Sequence, residues 1–405
     1  MKVKDIILRQ IFDSRAEETL EVDLITDENV SFWAQIPSGK SRGSKEAAVF
    51  DLSEAQKSLK VIGNALHGKK INSVREMDDF LVGLDGTANK SKLGGNLTLG
   101  ISVAFARVLA FEKGVELNEI LKWEFFGEAK GEAEKERKIP MIFSNLINGG
   151  SHAKNNLDIQ EYMIVVKGGG SLRERIKKLV HFYRQLGGVL EMKNKKGKLP
   201  IGDEGGYAVD FKNNIEPLEI MEKLIYRFAL EKDFALGIDA AASNFQRGKE
   251  YRFEGKLINT KKLEKTYKDY LKKIEILYSL EDPFAENDFE GFNELKMDSR
   301  HGKIVVGDDL TVTNPDFINK YAEEGLISAV IIKPNQIGTV TETCEAMIAA
   351  KKSGLKTIVS HRSGETDDNF IIHLAKAGAA DGVKIGAPIH ERIYKFNELM
   401  RIYND

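Results

Sequence analysis

The sequence predicts an α/β protein: an eight-stranded β/α barrel whose first two strands are antiparallel, preceded by an N-terminal α+β domain. Six short apolar runs in the second half of the chain each deliver one charged or polar residue at their C-terminal end. These residues are Asp239, Glu281, Asp308, Lys333, His361 and Lys384. After a longer first gap they recur about every 23 to 28 positions, the length of one strand plus one returning helix. Two further apolar runs, 140–147 and 161–166, are joined by a loop too short for a helical crossover, so they pair antiparallel. Two plus six makes eight strands, and the span 140–405 fits the roughly 250 residues of such a barrel.

Residues 1–126 read as the α+β domain, with strands at 6–12, 19–25 and 31–36. Helical patterns follow at 45–67, 73–81 and 97–112. Residues 127–139 carry almost nothing apolar and read as a linker. The barrel domain occupies 140–405. Its antiparallel pair is followed by helices near 172–191 and 216–230, with a glycine-rich acidic stretch at 199–207 between them. The six strand-helix units then have strands at 234–239, 276–281, 303–308, 329–333, 356–361 and 382–385.

Composition narrows the function classes. With 42% hydrophobic and 30% charged residues, the chain is of ordinary globular type. A net charge of -2 gives no overall signal for nucleic-acid binding. The single cysteine, Cys344, excludes an internal disulfide and a thiolate zinc cluster, and its helical context makes it a core residue. Positions 1–10 are broken by charges and lack the apolar region of a signal peptide. The longest apolar stretch, 101–111, contains Arg107 and is too short to span a bilayer. A cytoplasmic protein with no membrane partner is expected.

On a barrel, the C-terminal strand ends form the active site. Asp239, Glu281 and Asp308 would converge there, and three carboxylates repel one another unless a cation lies between them. All-oxygen ligands suit a hard ion such as magnesium. Alternatively, each acid caps the helix after its strand, which would account for one member of Glu281–Asp282 and of Asp308–Asp309. Lys333 ends a very apolar strand; beside a dication its pKa would fall and it could act as a base, or it is an ordinary lysine at a strand end. Lys384 is placed in the same way. His361, Arg362 and Ser363, followed by Gly364, form a donor-rich turn suited to phosphate. Glu204 sits among glycines at 202–206, which allow a carboxylate to approach a ligand. A turn at 148–152 delivers His152, and Gln160 and Glu161 open the next strand. The Ser/Gly-rich segment 38–44 is not a P-loop, because Ala34 stands where the first glycine is required. It reads as a flap over the site.

Taken together, the strings resemble the enolase family in order and over essentially the whole length. They are S-H-A-x-N-N-x-D-I-Q-E (151–161), G-D-E-G-G (202–206), D-A-A-A-S (239–243), S-L-E-D-P-F (279–284), V-G-D-D-L-T-V-T-N (306–314), K-P-N-Q-I-G-T (333–339), S-H-R-S-G-E-T (360–366) and K-I-G-A-P (384–388). The resemblance implies an enolase-type barrel and the magnesium-dependent, reversible dehydration of 2-phospho-D-glycerate to phosphoenolpyruvate. Asp239, Glu281 and Asp308 would hold the first magnesium. Lys333 would be the base at C2, and Glu204 the acid for the C3 hydroxyl, with Glu161 and Gln160 beside it. Lys384 would face the substrate carboxylate, Arg362 and Ser363 would bind phosphate, and His152 and His361 would line the pocket. Ser41 would join a second magnesium that arrives with substrate. A homo-oligomer, dimeric or larger, is also implied.

The chain departs from the family pattern in its first domain. The usual flap S-G-A-S-T-G is Ser38-Gly39-Lys40-Ser41-Arg42-Gly43, and D-S-R-G-N-P-T is Asp13-Ser14-Arg15-Ala16-Glu17-Glu18-Thr19. These changes keep two other functions in play: an enolase-like binding or scaffold protein, and another acid-sugar dehydratase of the superfamily. Intact Lys333, Glu204 and the three acids argue against the scaffold. His152, Glu204, Arg362 and Ser363 argue against an unphosphorylated substrate.

Overall fold

The computed structural model describes residues 1–40, 42–127, 139–194, 197–295 and 302–403. Ser41 and positions 128–138, most of the expected linker, therefore lie outside the described residues.

An antiparallel meander opens the chain: β1 (Val3–Phe12), β2 (Glu18–Thr26) and β3 (Ser31–Gln35). On β2 the alternate residues Leu20, Val22, Leu24 and Thr26 are buried, as a half-covered strand requires. Helices α1 (Leu52–Leu66), α2 (Val74–Asp85), α3 (Gly95–Lys113) and the short α4 (Leu117–Leu121) follow. Helix α3 is buried almost throughout because it lies between the meander and the barrel. Gly100 permits this close approach: a Cβ there would stand 2.3 Å from Val22 Cγ2.

One helix begins later than the periodicity suggests. Residues 45–51 are not helical, and α1 starts at Leu52, where Asp51 caps Glu54 and the Glu54 side chain returns the bond. The preceding residues are bonded elsewhere: Ala47 N donates to Gln336 O at 2.8 Å and Ala48 N to Asn89 O at 2.7 Å.

The barrel strands are β4 (Met141–Asn148), β5 (Glu161–Val166), β6 (Phe234–Asp239), β10 (Leu277–Glu281), β11 (Ile304–Gly307), β12 (Ala329–Ile332), β13 (Lys356–Ser360) and β14 (Gly382–Ile385). They close in the order β10-β11-β12-β13-β14-β4-β5-β6. Strand β5 runs antiparallel to both β4 and β6, and the other pairs are parallel. The long first gap is filled by a small antiparallel sheet of β7 (Gln246–Arg247), β8 (Glu250–Phe253) and β9 (Lys256–Asn259), which the periodicity does not indicate. Around the ring lie α5 (Leu172–Lys193), α6 (Glu216–Arg227), α7 (Thr260–Lys273), α8 (Phe289–Glu294), α9 (Pro315–Glu323), α10 (Pro334–Ile337), α11 (Val340–Lys352), α12 (Phe370–Ala377) and α13 (Arg392–Tyr403). Cys344 is buried in α11. No described helix is long and apolar enough to cross a membrane.

Strand alternation then places the chemistry. Phe143, Met163, Val165, Ala235, Ile304, Val306, Ala329, Ile331 and Ile358 pack together as one apolar plug. Stepping two residues from them toward the rim reaches Asn145, Glu161, Asp308, Lys333 and Ser360, and on β6 a step of four from Ala235 reaches Asp239. On β5 the step runs toward the strand's beginning, because that strand is reversed.

Candidate active site

Asp239, Glu281 and Asp308 end β6 and β10 and follow β11. All three are buried, with ligand oxygens within 4.8 Å of one another. Lys384 Nζ stands among the acids, 2.8 Å from Glu281 Oε1 and 3.1 Å from both Asp239 Oδ2 and Glu161 Oε2. Lys333 Nζ is bonded to Asp308 Oδ2, and Gln336 Nε2 donates to Asp308 Oδ1 at 3.0 Å. Backbone groups fix the cluster further. Asp239 Oδ1 accepts from Ala241 N at 2.9 Å, and Asp282 accepts from Asp308 N at 2.9 Å and Asp309 N at 2.7 Å. Asp282 is thus the member of its pair tied to the backbone, while Glu281 faces the cluster.

Burial, then Asp239, pushes the Glu281 carboxyl well above its usual range. Burial acts the same way on Asp308, but Lys333 and Lys384 outweigh it and hold Asp308 low. Burial acts downward on Lys384, yet Asp239, Glu161 and Glu281 raise it far above an ordinary lysine. The depression expected of Lys333 beside a dication is a separate matter from the effect of the protein's own groups. Burial lowers it, but Asp308 outweighs burial and Lys333 lies above the ordinary value. A buried all-carboxylate set under like-charge pressure fits a hard divalent cation.

A second acidic group lies beside the first. His152, Glu161 and Glu204 also bring ligand atoms within 4.8 Å of one another. Glu204 Oε2 accepts from Asn145 Nδ2 at 2.7 Å, while His152 Nδ1 and His361 Nε2 stand 3.5 and 3.6 Å from Oε1. Burial raises Glu204, but His152, His361 and Lys384 hold it well below the usual carboxylate range. Glu161 is displaced the other way, by burial and then by Glu204. Burial drives the His361 imidazole well below its ordinary value. Gly202 lets the Glu204 loop pack onto Asn148, where a Cβ would sit 2.6 Å from the Asn148 side chain. Gln160 is buried, its Oε1 accepting from Ser151 Oγ at 2.7 Å.

At the remaining edge, Arg362 donates to Asn335 Oδ1 at 2.7 Å and to both Glu46 oxygens at 3.1–3.3 Å. Ser363 Oγ accepts from Lys40 N at 3.0 Å. The flap is paired to this turn through Ser38 N to Gly364 O (2.8 Å) and Gly364 N to Ser38 O (2.9 Å). Gly39 is required here, since a Cβ would come within 1.8 Å of Arg362 Nη2. Lys40 Nζ reaches Asp203 Oδ2 at 3.0 Å. Arg42 does not turn toward the acids; its Nε stands 3.7 Å from Glu46 and Nη2 donates to Ala47 O.

His152, Gln160, Glu161, Glu204, Asp239, Asp308, Lys333, His361, Arg362, Ser363 and Lys384 thus line one cavity, of about 20 Å³. Glu281 joins through Lys384. Of the residues expected at the site, only Ser41 lies outside the described positions. Glu46 and Asn145 are members outside the motif strings, and Asn335 and Gln336 lie within K-P-N-Q-I-G-T without an assigned role, while Asp282 enters the sequence reading only as a helix cap. Asn145 is discoverable as a polar residue inside an apolar strand, and Glu46 through the Asp51–Glu54 capping signature, which excludes it from the helix.

The barrel and its rim place the chain among α/β-barrel proteins that gather buried acidic and basic side chains at the C-terminal strand ends. Residues 136–405 match the family model "Enolase, C-terminal TIM barrel domain", and residues 3–121 match "Enolase, N-terminal domain". The whole chain is 38% identical to the enolase of Anaplasma phagocytophilum, covering 95% of that protein. It is 37% identical to the enolase of Methanopyrus kandleri, again over the whole chain and 96% of the relative. With enolase 2 of Lactobacillus johnsonii the identity is 38% over 99% of this chain and 95% of that protein. The chain belongs to the enolase family.

Proposed function

We propose that this enolase homologue is a magnesium-dependent hydro-lyase that interconverts 2-phospho-D-glycerate and phosphoenolpyruvate. The observation that carries this reading is the sharing of one cavity by Lys333, Glu204 and the buried acids. Lys333 enters after β12 and Glu204 beside β4, three places apart in the eight-strand ring. A base and an acid separated in this way suit removal of a proton from one carbon and a hydroxyl from the next.

Magnesium held by Asp239, Glu281 and Asp308 would stabilise the negative charge that develops on the substrate carboxylate when the C2 proton leaves. Lys384 Nζ adds a fixed cation at the same place. Lys333 Nζ accepts the C2 proton, so it must be neutral at that moment, which requires Asp308 to be engaged elsewhere. Glu204 delivers a proton to the departing hydroxyl. Its low pKa in this arrangement suits the reverse direction, in which an ionised Glu204 accepts a proton from water. Glu161 beside it is shifted upward, by burial and then by Glu204. Arg362 and Ser363 hold the phosphate, with His152 and His361 excluding water around it. Ser41 belongs to the second magnesium site in this reading. A homo-oligomer is part of the same reading, carried over from the family resemblance.

One assay tests the proposal: purified protein, magnesium and 2-phosphoglycerate, with phosphoenolpyruvate followed by ultraviolet absorbance. Activity abolished by EDTA and by Lys333→Ala is expected. Absence of turnover at high protein concentration rejects it.

A further inference from the structure

We propose that Glu46 is a positioning residue that aims Arg362 at the anion site and ties that arginine to the base of the flap. The inference deepens the proposed function, resting on its assignment of Arg362 to the substrate phosphate.

Glu46 looks like a surface helix residue in the sequence, yet it lies in the non-helical stretch before α1. Its side chain is 3% exposed, as is that of Arg362. The two meet over more than one bond: Nη2 stands 3.1 and 3.3 Å from the two Glu46 oxygens, and Nη1 stands 3.2 Å from Oε2. A two-point carboxylate bond fixes the plane of a guanidinium as well as its place. Asn335 Oδ1 holds Nη1 independently.

Two further bonds give Glu46 a wider reach. Gly43 N, in the flap base, donates to Glu46 Oε1 at 3.3 Å. Gln336 Nε2 donates to the same oxygen at 3.3 Å and to Asp308 Oδ1 at 3.0 Å. Gln336 is itself anchored by Thr313 Oγ1, which donates to its Oε1 at 2.7 Å. One carboxylate therefore joins the flap base, the phosphate arginine and, through a single amide, a carboxylate of the cation cluster. A purely structural ion pair would change stability when broken. A positioning group must also change how tightly the site holds an anion.

The test compares wild type, Glu46→Gln, Glu46→Asp and Arg362→Lys, with Arg362→Lys also made in the Glu46→Gln background. Turnover of 2-phosphoglycerate is read alongside calorimetric binding of inorganic phosphate, which needs no catalysis. Glu46→Gln is expected to raise KM and weaken phosphate binding by about tenfold, with kcat changed less, in keeping with the removal of one charge-assisted hydrogen bond. Glu46→Asp keeps the charge but draws it back, so an intermediate effect is expected, which covers the case in which the Gln variant does not fold. Glu46→Gln should add little to Arg362→Lys, because one residue acts through the other. The inference is overturned by unchanged KM and phosphate binding in a folded Glu46 variant, by independent effects in the double variant, or by a lower KM, which would make Glu46 a competitor for the arginine. A wild type that binds phosphate without turnover removes the proposed reaction but leaves this inference to the calorimetry. A wild type that does not bind phosphate removes the inference as well.

Discussion

Two of the buried acid clusters at the site solve the same electrostatic problem differently. Asp239, Glu281 and Asp308 face two lysines, Lys384 and Lys333. Glu204, in the other cluster, leans on two imidazoles and an asparagine amide, groups whose charge is absent or conditional. Lys384 touches both sides, through Glu281 and Glu161. In the proposed reaction each cluster both faces developing charge and moves a proton, through Lys333 in the first and Glu204 in the second.

Removing the shared cation should break the contrast most severely. Lys384→Met leaves several buried carboxylates without their ammonium, and loss of one partner of a buried pair costs on the order of 3–5 kcal/mol. Urea unfolding in EDTA should show that loss, and added magnesium should recover part of it if the acids bind the ion. Next come the two groups proposed to transfer protons. Lys333→Ala and Glu204→Gln should each lower kcat by roughly 10²–10⁴ while the fold persists. Circular dichroism alongside the absorbance assay distinguishes this from unfolding, and a Glu204→Gln enzyme at full rate would erase the distinction between clusters. Asn145→Ala should have a smaller effect, about 1–3 kcal/mol from an under-satisfied buried acceptor at Glu204, visible in both stability and kcat.

Asp78, a buried acid with no cation bonded to it among the described residues, provides the reference case. Burial raises it to about 7, against hydrogen bonds from Ser102 and Thr341. With the folded pKa above the unfolded one, its stabilising contribution is complete below about 4 and is lost as pH rises through about 7. Asp78→Asn should therefore flatten stability across that window, measured by urea midpoints. The smallest change belongs to Lys40→Ala. Its exposed pair with Asp203 is worth less than about 1 kcal/mol, so KM should shift only a few-fold and the shift should vanish at high salt.

The barrel is legible in the sequence because alternation of two forces each inward apolar series to end in a rim residue. That rule makes Asp308 and Lys333 visible, since Val306 and Ile331 precede them on the same face. It cannot reveal Glu46, whose partner Arg362 lies 316 positions away and whose local pattern continues a helix. Asn145 escapes notice because it carries no charge. The β7–β9 sheet leaves no periodic signal because its strands are only two to four residues long. The expectation for Lys333 concerns a lysine beside a dication, whereas its upward shift here is set by protein groups alone. Asp308, a carboxylate bonded directly to its ammonium, sets the direction.

The ring closes by pairing β14 with β4, joining Gly382 to Met141. A chain made from its N-terminus produces Glu161, Asp239 and Glu281 before the lysine that faces them exists. Until β14 arrives, those acids must stay wet or protonated, since burial without a counter-charge is too costly. Barrel closure and charge compensation are therefore a single late, long-range event. The segment that closes the ring is thus also the one that carries the ammonium shared by Asp239 and Glu281.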